Sequence, residues 1–245
     1  MEPIDHLVVR ALDGDATFVR AALEADPSLI NDRNMFGAGI AHAAVYGGHP
    51  ELLEILASYG WAPDIAMSAA LGDAAAVSES LIRQPGLAAR FVGASTALHA
   101  AAYWGQVAVA RLLLDAGAGA VVSAPSRDEF LQITPLGMAI ATTPGIPQPS
   151  DDEDVVLALV RLLLERGAAV NARRKDGMTA MHGAAWRGLA TVVVELIDAG
   201  ADIANTATSG QHAGQTAADA ALSQGHLRLA ALLDAPGLAT TGPYW

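Results

Sequence analysis

The 245-residue chain has no cysteine. Disulfides, thiolate nucleophiles and cysteine metal sites are therefore excluded, although the absence does not itself name a redox compartment. Positive charge is scarce: 14 basic residues stand against 26 acidic ones, a formal net charge of −12, and Lys175 is the one lysine. Such a balance works against nucleic acid and anionic membrane surfaces, where neutralised phosphate supplies most of the affinity, and favours a neutral or basic partner. Every apolar run is broken by a charge or a glycine well short of the about 20 residues that span a bilayer, so no membrane association is expected. The opening Met1-Glu2-Pro3-Ile4-Asp5 has neither the basic nor the apolar region of a signal peptide, which gives a cytoplasmic location as the expectation. No glycine-rich phosphate loop, nucleophile elbow or zinc-binding histidine-glutamate helix occurs, and neither cofactor nor metal is expected.

Hydrophobic residues make up 52% of the chain, enough to bury a continuous core. The clearest unit is Ser95 to Ala118. Thr96 is placed to cap a short helix with Leu98, Ala101 and Ala102 on its apolar face, and Gly105 ends it by accepting the left-handed conformation. A second helix carries Val107, Val109, Leu112, Leu113 and Leu114 and closes at Gly117. Two helices of this length bury too little apolar surface to offset the backbone entropy of roughly 1–2 kcal/mol per ordered residue, so the unit needs neighbours. Aligning on the helix-ending glycine supplies them at Gly14, Gly48, Gly72, Gly105, Gly188 and Gly225, and Thr134-Pro135-Leu136-Gly137-Met138-Ala139-Ile140 adds a seventh. The stretch from Gly14-Asp15 through Val19, Leu23, Pro27 and Leu29 repeats at Gly72-Asp73 through Val77, Leu81, Pro85 and Leu87, the mark of a copied two-unit block.

These units resemble ankyrin repeats, with Thr134-Pro135-Leu136-Gly137 a variant of the family's Thr-Pro-Leu-His signature. The resemblance implies an all-α solenoid of paired antiparallel helices joined by short or extended finger loops, with repeats near 4–33, 34–60, 61–90, 91–120, 121–172, 173–204 and 205–234 as one cooperative domain. Residues 235–245 read as an irregular tail. A finger is missing at Gly60-Trp61-Ala62-Pro63-Asp64, which leads straight into the next helix. Gly117 to Thr134 and Gly200 to Thr216 are longer than the 12 positions from Gly167 to Thr179, so two fingers carry extra residues. The proline-rich, acidic Pro144 to Asp154 is inserted between the helices of the fifth unit.

The resemblance also assigns most histidines to the scaffold. His42, His99 and His182, three positions after the capping residue, are expected to hydrogen-bond backbone between units; His49 and His226 follow a helix-ending glycine, and His6 and His212 lie at opposite ends. The two residues before each helix-ending glycine face the concave groove in the family, which places Tyr46, Tyr103, Trp104, Trp186 and Arg187 there, with Trp61 beside them if it turns inward. Finger tips add Phe36, Phe91 and Phe130. Aromatics and arginine are the residues enriched in interface hot spots, and packing between adjacent first helices is the alternative use for such rings.

The expected function is non-enzymatic recognition of another protein, neutral or basic, by a monomer. The alternative is an aromatic-walled small-molecule or enzyme pocket, in which Asp128 and Glu129 of the long fifth finger would supply acid and base. Arg173, Arg174 and Lys175 form the one dense positive run and read as a solvated turn.

Overall fold

The structure, a computed structural model, describes residues 3–33, 39–129, 131–141 and 152–235. Among them seven helix pairs follow one another. α1 (Pro3–Leu12) is paired with α2 (Ala16–Ala25), α3 (Ile40–Gly47) with α4 (Pro50–Ser58), and α5 (Ile65–Ala70) with α6 (Ala74–Arg83). Next come α7 (Ala97–Tyr103) with α8 (Val107–Asp115) and α9 (Pro135–Ile140) with α10 (Glu153–Glu165). α11 (Ala180–Arg187) with α12 (Ala190–Asp198) and α13 (Ala217–Ser223) with α14 (Leu227–Leu233) complete the set.

The helices begin where side chains satisfy their first N–H groups. Asp15, Asp64 and Asp73 accept from Phe18, Met67 and Ala76 at 2.8–2.9 Å, so the copied block keeps its caps. Thr134 accepts from Gly137 at 3.2 Å and Thr216 from Asp219 at 3.2 Å. Asp152, in the acidic run, caps α10 through the N–H of Asp154, and Glu153 accepts both the N–H (2.9 Å) and the hydroxyl (2.6 Å) of Thr191 from the following unit. The rest of the insertion, 142–151, lies outside the described residues, as do Phe36, Phe130 and the tail from 236.

First helices stack on first helices, α1 on α3, α5 on α7, α7 on α9, α9 on α11 and α11 on α13; second helices do the same along most of the outer face. Small residues make the inner stack close: Ala97, Ala101, Ala102, Ala184, Ala185 and Ala221 are buried. Leu98, Leu113, Leu136, Leu159 and Leu163 fill the space between layers, each worth about 1.5–3 kcal/mol for burial.

One boundary breaks the pattern. Neither α3 with α5 nor α4 with α6 packs extensively. The expected continuous core is consequently divided into two large clusters, besides a small one of Tyr103, Ile133 and Ala141. One joins Leu7, Val19, Leu23, Ile40, Leu52 and Leu56 of the first four helices, and the other runs from Ile65 to Leu233. Met67 of α5 belongs to the first cluster and bridges the junction. The break coincides with the absent finger, since only Gly60 to Asp64 separates the second and third units.

Elsewhere the fingers are laced together. In the hairpin of β1 (Phe91–Val92) and β2 (Ser95–Thr96), the Ala94 carbonyl accepts the N–H of Arg127 at 2.7 Å. The Leu131 carbonyl accepts Lys175 N–H at 2.9 Å, and Asp176 carbonyl accepts Thr208 N–H at 2.7 Å. The basic run belongs to this network. Arg173 bonds Asn205 and the Thr206 carbonyl, Arg174 pairs with Asp176 at 2.7 Å, and Lys175 Nζ donates to the Glu129 carbonyl at 2.6 Å. These residues form an exposed turn, and Arg173 and Lys175 in addition tie it to the neighbouring fingers, while Arg174 bonds within its own.

Candidate functional site

The capping residues fix the histidines first. Thr96 N–H lies 3.3 Å from His99 Nδ1, and the other ring nitrogen of His99 donates to the Ile133 carbonyl of the next unit at 3.1 Å. Burial holds the His99 imidazole down to about 4, so it is neutral at ordinary pH. His182 repeats the arrangement, with Thr179 N–H at 3.2 Å and the Gln215 carbonyl at 3.2 Å.

His42 departs from it. With no finger following its unit, its ring meets Arg33 Nη1, 3.1 Å from each ring nitrogen, while Gly39 N–H approaches Nδ1 at 3.5 Å. The expected bond to the following unit is not made among the described residues. Burial first, and then the Arg33 charge, hold this imidazole down to about 4 against the opposing pull of Asp64. Arg33 in turn lies 3.7 Å from the Asp64 carboxylate, which is already capping α5. Arg33, His42 and Asp64 thus form a charged cluster across the junction between the second and third units.

Next to this cluster the groove aromatics converge. Tyr46 from α3 and Tyr103 from α7 have ring centroids 5.9 Å apart, Tyr46 and Trp104 are 5.1 Å apart, and Tyr103 and Trp104 are 5.3 Å apart. Edge and tilted contacts of this kind contribute about 0.5–1.5 kcal/mol beyond area burial. The rings rest on Ile133, Met138 and Ala141 of the fifth unit. Tyr103 is nearly buried, and desolvation raises its hydroxyl pKa and that of Tyr46 above the usual tyrosine range. Tyr46 and Trp104 stay half-buried.

The three rings line a concave pocket of about 320 Å³ that Arg33, His42 and Asp64 also line. Val92 to Ser95 of the hairpin and Arg174 of the sixth unit complete its lining. A smaller, partly open cavity of about 150 Å³ shares Arg33, His42, Asp64 and Met67 with it and is lined also by Trp61. The charged cluster is the partition between the two.

The remaining sequence candidates lie elsewhere. Trp61 packs against the first core and so stands on the far side of the partition from the three rings. Trp186 stacks edge-on against His212, centroids 5.3 Å apart, at the other end of the stack, with half-buried Arg187 beside it in α11. Phe91 is covered by Arg127, whose guanidinium carbon lies 3.7 Å from the ring centroid. Asp128 and Glu129 do not form an acid-base pair. The Asp128 carboxylate accepts from Ser126 Oγ and from Leu131 N–H at 2.6 Å, shaping its own finger, and Glu129 is exposed with its carbonyl taken by Lys175.

Arg33, Asp64, Met67, Ile133 and Met138 were not singled out from the sequence. The signal that marked their place was the short Gly60 to Asp64 connection, with Asp64 standing where later units have threonine.

Among the described residues no group of three histidine or acidic side chains is arranged to hold a metal, and no helix is long and apolar enough to cross a membrane. A search of the curated proteins finds no match. The family model for ankyrin repeats in three copies matches residues 6–124, and that for ankyrin repeats in many copies matches residues 163–217. Those matches span both sides of the junction and most of the stacked helix pairs, and the chain belongs to the ankyrin-repeat family.

Proposed function

We propose that the chain is a protein-recognition module whose concave face anchors a partner on Tyr46, Tyr103 and Trp104. The observation that carries this reading is the convergence of these three rings on one pocket wall at the centre of the groove. Ankyrin repeats are in general protein–protein interaction modules. Large rings that present contact area at little cost in side-chain entropy are the residues on which such interfaces concentrate their energy. The net charge of −12 favours a neutral or basic partner, and the module is assigned to the cytoplasm as a monomer without cofactor.

The test is affinity capture from the source cell with the unaltered chain and with a Tyr46→Ala, Trp104→Ala double variant. Both rings are half-buried, and matched unfolding midpoints establish that the scaffold survives. A partner held by the unaltered chain and lost from the variant supports the groove; one retained equally by both removes it.

The pocket volume favours a second reading, since about 320 Å³ falls within the range of small-ligand sites. It would place the ligand at the absent finger rather than beneath Asp128 and Glu129. Retention by the purified chain of a small molecule detectable by native mass spectrometry, released by the same double variant, would favour it.

A further inference from the structure

The three later finger boundaries obey one hydrogen-bonding rule, and the third unit leaves that rule open. Carbonyls of the fingers, at Ala94, Leu131 and Asp176, each accept an N–H from the finger that follows, at Arg127, Lys175 and Thr208. Beneath them, the histidine at the start of the first helix donates to a carbonyl just before the next capping residue, as His99 does to Ile133 and His182 does to Gln215. His42 occupies the same position in the second unit, but its ring is bonded to Arg33, at the end of the first unit. The pocket occupies the place of the third finger, bounded on one side by Arg33 and His42 and on the other by Val92 to Ser95.

We propose that an extended peptide segment of the partner protein occupies the place of the absent third finger, its backbone carbonyl accepting from the His42 ring and an apolar side chain seated against Tyr46, Tyr103 and Trp104. The inference rests on the partner-binding reading of the groove and specifies how that groove is filled.

Two further observations define the occupant. The row of finger-to-finger hydrogen bonds continues directly from the hairpin of the fourth unit, so a backbone laid beside it extends an interface that already exists in the chain. Arg174 also lines the pocket, and its buried Nε has no acceptor among the described residues. The charges lining the pocket are internally paired, Arg33 with Asp64 and Arg174 with Asp176, so the inserted stretch is uncharged. Around it the chain is strongly acidic, with twelve acidic against five basic residues over positions 1–90, so the flanks of the inserted stretch are basic.

The experiment is selection of binders from a random linear peptide library against the full chain, followed by affinity measurement on variants. The expected peptides carry an apolar residue between basic flanks. Their binding weakens about tenfold in His42→Leu, the loss of one desolvated hydrogen bond, and is abolished when a copy of residues 169–178 is inserted after Gly60 to restore a finger. Because the inserted chain must still fold, a second measurement alters the peptide alone. Replacing one backbone amide by an ester weakens the carbonyl acceptor at that residue, and an ester scan is expected to locate one position that lowers affinity in the unaltered chain and has no effect in His42→Leu.

Peptides that bind the finger-inserted chain and His42→Leu as well as the unaltered one overturn the inference, as does a library that yields no binder. If binding survives those changes but is lost in Trp104→Ala, the groove reading stands and the finger-replacement reading falls.

Discussion

The imidazole of His226 fills the space beside Gly188, where a Cβ would stand 2.5 Å from its Cε1, and its Nε2–H donates to the Trp186 carbonyl at 3.2 Å. Gln106 stands in the same relation to Gly72, donating to the Ala70 carbonyl at 3.3 Å, and the ring of His49 crowds Gly14. The residue after one helix-ending glycine therefore reaches back to the glycine of the preceding unit.

Gly188→Ala is expected to be considerably worse than Gly48→Ala. Both glycines have positive φ, 71° and 74°, but nothing lies within 4 Å of a Cβ at Gly48. The left-handed backbone alone should cost about 1–2 kcal/mol at Gly48, and displacement of His226 should add about 1–3 kcal/mol at Gly188. Urea unfolding of the two variants measures the difference.

Acid should weaken the fold through its buried imidazoles. His99 is held at about 4 in the folded chain against 6.5 for a free imidazole. Between those values unfolding takes up a proton, so this contribution is complete above about pH 6.5 and falls away as the pH drops to about 4. The slope is about 1.4 kcal/mol per pH unit for each such histidine. His42 shares the window and His182 is shifted in the same direction. Urea unfolding between pH 7 and 4.5 should show the decline, and His99→Gln should reduce its slope by about one proton.

The two cores should respond separately to damage. Leu56→Ala, in the first cluster, is expected to cost about 2–5 kcal/mol and to release amides of α1 to α4, while those of α7 to α12 keep their protection. Leu159→Ala should leave the first block protected and loosen the second. Hydrogen exchange read by mass spectrometry distinguishes this from uniform loss across the stack.

Arg173→Ala should act on its neighbour rather than on a distant partner. Its guanidinium holds Asn205 and the Thr206 carbonyl, and both ends are exposed, so the expected cost is about 1 kcal/mol or less. Faster exchange confined to residues 202–209 is the readout. Equal exchange in both proteins would show that these bonds do not order the finger.

What was legible in the sequence is what each unit does by itself or repeats from its neighbour. Thr96, Thr134 and Thr216 cap as expected, the glycines turn the chain, and His99 and His182 reach the next backbone. The gathering of Tyr46, Tyr103 and Trp104 was also legible, because Tyr46 and Tyr103 stand two positions before a helix-ending glycine and Trp104 one. Trp186 stands there too, yet it pairs with His212, because the long seventh finger brings an imidazole to its edge. The bonding of His42 and the division of the core were not legible. Both are consequences of the missing finger for residues outside it, which depend on how two helix pairs lean together once their connecting loop is short. Asp64 read as an ordinary cap; its second role arises only when Arg33 comes within reach across the junction.

The short Gly60 to Asp64 connection also bears on mechanics. A linear array shares a pulling force equally among its joints, so the joint with the fewest bonds across it decides where the array parts. Drawn from its ends, this chain would yield first between its second and third units, each side coming away with its own core intact, and any segment lodged at that joint would bear part of the load.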